Sequence, residues 1–533
     1  MNRTYAALAA SAALGLAACA GGPTKEEDLV NRAVEAMGGA QRIAEIQSAA
    51  ARGTQKQWEP EQSDVPGGEF RFANDTSWEF WQDRAQRASR IDVERRFAYP
   101  APRTFKFSEV VTPGAGYVLG VDSNGRNAQS QKMTPPAHSM SGLRLATSQR
   151  EGLRATATGL LMAMRNNPKE LRPSTDMVVA GSVVLPTVGY GPYLVGFDAQ
   201  TGLPALVRTL DYDNIWGDVN YDVVYADWKD IAGIKVPMQR RYELNGRLVQ
   251  EVRLTDVQWN PPVDAAKFEV PAALRADAAK PATGTVPYQW VLRRQFIGIY
   301  LDSEDRSFDT RAPNPGLRMQ ELAPGVLHVV GGSHNSLLVE MSDHLIVVDA
   351  PVSDAQSLWV VNQAKARFPN KPIKYLVLTH HHMDHAGGIR GYLAQQPTPT
   401  LIVGQGAREH FRKVLAAPVT RNPDMKPADL SQVPIMEVPD SNLITDSRGR
   451  QFVVYAMQDN PHAKGLLMAW VPDAKLGFVT DVWSPGAPLP DKPNAGLMSV
   501  VNTVKRAGIQ PERFAGGHGS VAPYSALTKV TGQ

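Results

Sequence analysis

The chain holds one cysteine in 533 residues. That excludes an internal disulfide framework, a cysteine-rich zinc site and a two-cysteine redox motif. Charge of one sign is also lacking: 56 basic residues against 53 acidic ones leave a net +3. Nucleic acid binding calls for a concentrated basic patch, and this balance offers none. After the first few residues no stretch of about 18 to 20 consecutive apolar residues occurs, so no transmembrane helix is expected. Internal repeats and long low-complexity tracts are absent as well. Histidine is scarce in the first part of the chain, where His138 is the only one before residue 320 of 11 in all. What remains is ordinary globular composition, 43% hydrophobic and 20% charged, in a chain long enough for several domains.

The first residues, Met1 to Cys19, place Arg3 before an apolar run from about Tyr5 to Leu16, then small residues, then the lone cysteine. The run is too short to span a bilayer as an ordinary helix. The stretch Leu16-Ala17-Ala18-Cys19 resembles a bacterial lipoprotein signal. That resemblance implies a signal peptide over 1–18 and lipidation of Cys19. It also implies an exported protein tethered to a membrane by its acyl chains. Ala20 after the cysteine leans toward the outer membrane, facing the periplasm.

Leu29, Ala33, Val34 and Met37 recur at helical spacing, predicting a helix within Lys25 to Ile46, interrupted at Gly38-Gly39. From about Ala50 to Pro271 the texture becomes short alternating runs, as in Tyr221-Asp222-Val223-Val224-Tyr225. Asn245-Gly246 is placed as a hairpin turn. An antiparallel β domain with a helix is expected over 19–274. Its turns around Asp198–Pro204, Gly233–Pro237 and Phe268–Pro271 are similar to those of periplasmic lipoprotein-carrier proteins. That likeness implies a curved half-barrel sheet over an apolar groove. Trp78, Phe80, Trp81, Trp228 and Trp259 read as sheet core. Residues 275–317, rich in Ala, Pro and Gly at their start, read as a linker.

In residues 318–533 strands and helices alternate, which implies an α/β layered domain and an α+β multidomain chain overall. Strands are expected at Val326–Val330, Ser336–Glu340, Leu345–Asp349 and Ile373–Leu378, with Ser353 capping a helix that runs to about Phe368. The last strand empties into Thr379-His380-His381-His382-Met383-Asp384-His385-Ala386-Gly387-Gly388. Alternate residues leaving a strand project to similar sides, so His380, His382 and Asp384 can converge, and the following turn brings His385 round. Imidazole and carboxylate are ligands that borderline divalent metals prefer. Four potential ligands in six residues make a merely solvated loop a poor explanation. His381, between two of them, is expected to point away.

The pattern His-x-His-x-Asp-His followed by Gly-Gly resembles the signature of the metallo-β-lactamase fold superfamily. The resemblance implies a four-layer αβ/βα sandwich with two divalent metal ions, zinc foremost, with manganese or iron also compatible. By the same resemblance His380, His382 and His462 hold one metal, Asp384, His385 and His518 the other, and Asp481 bridges them. Asp349 supports the site from behind. An aspartate at 481, rather than a cysteine or no acidic bridge, resembles the glyoxalase, lactonase and general hydrolase branches more than the β-lactamases proper.

The implied chemistry is hydrolysis of a small-molecule ester, lactone, thioester or amide by a hydroxide held between the metals, with Asp384 orienting it or moving its proton. His334, Lys464 and Tyr524 are candidate substrate contacts. Two other readings follow from the same residues. One is an apolar-ligand or lipid-binding lipoprotein whose metal domain is accessory; the other is a metal-dependent oxygenase on the same fold.

Overall fold

Alternation over the first half of the chain does build strands, and they join into one antiparallel sheet. The computed structural model describes residues 24–122, 133–174, 183–185, 192–275, 316–332, 334–422 and 424–533. The signal segment, Cys19 and most of the 275–317 linker lie outside these residues; Arg275 itself closes a short helix, Ala272–Arg275.

Among the described residues the first sheet has 13 strands in two meanders. One runs outward from Ser48–Glu59 to Ala137–Ser139. The other returns from Arg172–Pro173 to Arg247–Trp259, and the first and last strands pair in the middle. Asn245 (φ 48°) and Gly246 (φ 79°) are both left-handed between the paired Leu244 and Arg247. This is the two-residue turn whose twist suits a hairpin.

The expected first helix spans Lys25–Ala36, opened by a capping box between Thr24 and Glu27. It stops because Gly38 adopts φ 122°, and a Cβ there would meet the Gly233 carbonyl oxygen at 2.2 Å. One turn of helix, Ala40–Ala44, follows. Val30, Ala33 and Val34 pack with Leu160, Leu161 and Met164 of the helix Ala157–Asn166 against Val195, Val207, Val223 and Tyr242 of the sheet. The apolar face expected to form a groove is therefore occupied by the chain's own helices. Trp78 and Trp228 join the edges of this core, and Trp81 joins a smaller one with Val110 and Phe268. The helix Gly142–Ala155 instead turns arginines inward. Arg144 pairs with Glu109 (2.8 Å) and Asp122 (2.6 Å), and Arg150 with Asp211 (2.6 Å).

The second body is an αβ/βα sandwich. Its seven-stranded sheet runs from Arg318–Ala323 to Ile435–Val438, antiparallel through Leu345–Val348 and parallel beyond it. A six-stranded sheet runs from Ser441–Thr445 to Val521–Pro523. Val339, Ile346, Val377 and Ile402 of one meet Phe452, Leu467, Ala469 and Phe478 of the other, which forms the dry interior. Helices Asp354–Arg367, Ile389–Leu393 and Arg408–Ala416 cover the outer face of the first sheet. Ala495–Ala507 and Tyr524–Thr531 cover the second. Ser353 caps its helix as expected, its Oγ accepting from the Gln356 N–H at 3.3 Å.

The two bodies dock directly. The turn between strands Pro204–Asp213 and Gly217–Ile231 enters the second body, with Ile215 inside the helix-covered core. Buried Arg390 donates to the carbonyls of Asn214, Ile215 and Val414. Asp218 accepts from the Thr420 and Arg421 backbone N–H groups at 3.0 and 2.9 Å.

Candidate metal centre

Each site residue leaves the carboxyl end of a strand or a loop beside one. Strands Leu345–Val348 and Ile373–Val377 are parallel neighbours, as are Leu476–Val479 and Arg513–Gly516. Asp349, the histidine run, Asp481 and His518 follow these four ends and gather at one edge of the sandwich. Asp349 (φ 67°) and Asp481 (φ 60°) are left-handed. Aspartate tolerates that conformation better than most residues, and such backbone strain concentrates at functional sites.

Three ring nitrogens converge first. His462 Nε2 lies 3.2 Å from His380 Nε2 and 3.0 Å from His382 Nδ1. A tetrahedral ion with bonds of 2.0–2.1 Å has ligand–ligand edges of about 3.3–3.4 Å. A second cluster joins His334, Asp384, His385 and His518, and a third joins His380 and His385 to Asp481. Asp481 ties the groups together. Its Oδ1 is 3.5 Å from His462 Nε2 and 3.1 Å from His518 Nε2, and its Oδ2 is 3.0 Å from His385 Nε2.

The candidate ligand atoms are held by partners behind them. Asp349, fully buried, accepts from Thr379 N at 2.7 Å and Thr379 Oγ1 at 2.9 Å, and lies 2.8 Å from His385 Nδ1. A proton on Nδ1 leaves His385 Nε2 free for a cation, the usual arrangement behind a ligating imidazole. Gly387 and Gly388 bring the loop close to its neighbours: a Cβ would meet the Val352 carbonyl oxygen at 2.4 Å and the Ser353 carbonyl oxygen at 2.5 Å, respectively. Asn335 holds the loop around His518 through the carbonyls of Gly516 and Gly519, each at 2.9 Å.

Charge follows the geometry. Burial pushes His380 well below the usual imidazole range and His382 down to about 3, their histidine neighbours adding to it. Burial likewise lowers His462. These rings are neutral at pH 7, the form that ligates. For His385 burial also opposes the charge, but Asp481 and Asp349 outweigh it and raise its pKa. Burial disfavours the charged forms of Asp384 and Asp481, yet their histidine partners hold both well below the ordinary carboxylate range. Neutral nitrogens facing one another beside two ionised carboxylates suit a pair of divalent cations. They have no comparable reason to converge otherwise.

All seven expected ligands, and Asp349 behind them, are thus brought together. His334 is closer in than a substrate contact: its Nε2 is 3.2 Å from Asp384 Oδ2, and its ring packs on His518 with centroids 4.4 Å apart. Lys464 is exposed; the contact it makes near the site is through its backbone N–H, which donates to the Asp64 carbonyl at 2.9 Å. Tyr524 is placed differently from the expectation. It opens the last helix and packs on Phe514, in the apolar layer under Ala495–Ala507. A substrate-facing hydroxyl was inferred from its nearness to His518 in sequence, but helical packing claims the ring. His381 turns away as expected, its Nε2 3.0 Å from the Ser63 carbonyl oxygen and its ring against His410.

That carbonyl belongs to the first domain. The segment after strand Ser48–Glu59 reaches the candidate metal centre. Gln62 Nε2 donates to Asp384 Oδ1 at 2.8 Å, and His382 Nε2 lies 2.9 Å from the Ser63 carbonyl oxygen. Tyr99 Oη donates to Gln62 Oε1 at 2.6 Å. Arg71 donates to the His462 carbonyl at 3.1 Å and stacks over Tyr99. No sequence motif marks these residues, which lie more than 280 positions from the histidine run.

Residues 329–518 match the family described as the metallo-beta-lactamase superfamily, and the C-terminal part of this chain carries a domain of that superfamily. No curated protein matches the chain. Among solved structures it is similar to the inverting sec-alkylsulfatase Pisa1 from a Pseudomonas species, at 16% identity over 39% of each chain with a TM-score of 0.30. It is similar to a metallo-beta-lactamase from Pontibacter korlensis at 15% identity, over 40% of this chain and 95% of that one, TM-score 0.31. A third is the rubredoxin oxygen:oxidoreductase of Desulfovibrio gigas, at 15% identity, 40% and 61% coverage and TM-score 0.31. The chain thus spans well under half the length of the alkylsulfatase.

Proposed function

We propose that this protein is a dinuclear metal-dependent hydrolase of a small-molecule ester, lactone, thioester or amide. The observation that carries the reading is the convergence of His380, His382 and His462 on one side and Asp384, His385 and His518 on the other, joined by Asp481. The donor set is nitrogen and oxygen only, which suits zinc and also accepts manganese or iron. When bound, two such cations supply Lewis acidity and lower the pKa of water into the neutral range.

The chain's own groups do the remaining work. His380, His382 and His462 present neutral nitrogens. Asp481 lies between the two sets, Oδ1 beside His462 and His518 and Oδ2 beside His385, and would be shared by them. Asp384, ionised and held by Gln62 and His334, accepts a hydrogen bond from the attacking water and orients it. His518 and Asp384 are the more exposed members, at 27% and 21%, so substrate approaches from their side.

The lipoprotein-like start of the sequence supports export and attachment to the outer membrane through Cys19, which lies outside the described residues. Fractionation of cells making the full chain or Cys19→Ser tests this; equal membrane association of the two refutes tethering through Cys19. For the chemistry, metal content is measured on purified protein alongside turnover of ester, lactone, thioester and β-lactam panels. The expected result is two metals per chain and hydrolysis that His382→Ala abolishes. A fully loaded protein that turns over none of these refutes the hydrolase reading.

A further inference from the structure

Four residues of the first domain, Gln62, Ser63, Arg71 and Tyr99, gather at the metal centre, and two contacts, one from the Gln62 side chain and one from the Ser63 backbone, fall on opposite halves of it. Gln62, 8% exposed, sits on a loop whose neighbour Ser63 is 4% exposed. The orientation of the Gln62 amide is settled by its surroundings. A carboxylate at Asp384 can only accept, so the amide nitrogen faces it at 2.8 Å and the amide oxygen faces the Tyr99 hydroxyl at 2.6 Å. Tyr99 thus donates to Gln62, and Gln62 donates to Asp384. This relay keeps Asp384 from swinging, since its other oxygen is already beside His334.

The second contact involves the backbone. His382 turns Nδ1 toward His462, so Nδ1 is its ligating atom, and its Nε2 faces the Ser63 carbonyl at 2.9 Å. A carbonyl can only accept, so it fixes the proton on Nε2 and leaves Nδ1 bare. Asp349 does the same for His385 from within the second domain. Arg71 anchors the arrangement, pairing with Asp64 and donating to the His462 carbonyl. The backbone N–H of Lys464 closes the same loop onto Asp64.

We infer that the first domain is part of the metal centre: Gln62, set by Tyr99, is a positioning residue for Asp384, and the Ser63 carbonyl selects the ligating tautomer of His382. The inference rests on the two-metal reading above, and it gives the β domain a role beyond any ligand of its own. Partners of this kind behind metal ligands are worth 10- to 100-fold in metal affinity in other proteins.

The test uses the full chain as wild type, Gln62→Ala and Tyr99→Phe. Zinc affinity is read by competition with a chromophoric chelator, and geometry by the visible spectrum of the cobalt-substituted protein. Circular dichroism reports the fold. Gln62→Ala is expected to weaken the metal held by Asp384, His385 and His518 about 10-fold and shift the cobalt bands, with the metal of His380, His382 and His462 changed less than about 3-fold. Tyr99→Phe is expected to fall between the two. Wild-type affinities and spectrum in Gln62→Ala overturn the inference, and so does equal weakening of both metals, which marks general loosening. A wild-type chain that binds fewer than two metals fails at the earlier step and overturns the two-metal reading itself.

Discussion

Replacing Asp349 by Asn changes one charge and one donor pattern at a fully buried position while preserving shape. Asparagine is the suitable probe, because position 349 has φ 67° and asparagine tolerates the left-handed region where alanine does not. The wild-type carboxylate accepts three hydrogen bonds, two from Thr379 and one at His385 Nδ1. An amide keeps an acceptor for the Thr379 N–H, but its NH2 then confronts the proton on His385 Nδ1. The Thr379 hydroxyl can rotate to accept; the imidazole can only move its proton to Nε2, the atom that faces Asp481 at 3.0 Å. The ligating nitrogen is then blocked, and recovering it means restoring a donor-against-donor contact.

A hydrogen bond to a charged group contributes about 1.5–3 kcal/mol. That corresponds to a loss of about 10- to 100-fold in affinity at the site containing His385. The site of His380, His382 and His462 is expected to change by less than about 3-fold, since none of its rings touches Asp349. Chelator competition on the purified variant resolves the two affinities. Unchanged affinity at both sites, or the same loss at both, refutes the tautomer argument.

Arg390→Met removes the donors to three buried carbonyls, two of them (Asn214 and Ile215) across the domain interface, each costing about 1–3 kcal/mol when left unsatisfied. The urea midpoint is expected to drop by the equivalent of at least about 3 kcal/mol, and proteolysis to separate the two domains sooner. Gly388→Ala places a methyl about where the Ser353 carbonyl and the Ser357 hydroxyl already sit, at 2.5 and 2.1 Å. Overpacking of this kind costs about 1–3 kcal/mol, and purified variant should carry less than wild-type metal.

A further prediction concerns acid. Burial, with Lys413 adding to it, holds His410 at about 4, below its ordinary 6.5. As pH falls below 6.5 the unfolded chain takes up a proton that the folded chain refuses. The stability present above 6.5 is therefore lost progressively down to about pH 4. At pH 5 this amounts to about 2 kcal/mol. In urea titrations of metal-free protein at pH 7 and 5, His410→Gln should lose that much less than wild type; parallel losses refute it.

The domain built around the histidine run was legible because its signals are local. A strand, a polar run of fixed spacing and a Gly-Gly pair lie within about 20 residues of one another. Ser353, Asn245-Gly246 and Gly38-Gly39 marked element ends because capping and left-handed backbone depend on single residues. The two-sheet sandwich and the ligand set followed from a resemblance carried by those same motifs. Tyr524 was misplaced because nearness along the chain to His518 says nothing about which side of a helix faces which layer.

The ligand types, their order and their nitrogen-and-oxygen chemistry are legible residue by residue, since donor identity is a property of each side chain. Which nitrogen of His385 and of His382 is bare is set by the fold, because it depends on an acceptor placed behind the ring. For His385 the acceptor is 36 positions away at Asp349; for His382 it is 319 positions away at Ser63. A carbonyl oxygen is common to every residue, so no pattern of letters distinguishes Ser63 from its neighbours. Only the docking of the β sheet on the sandwich selects it.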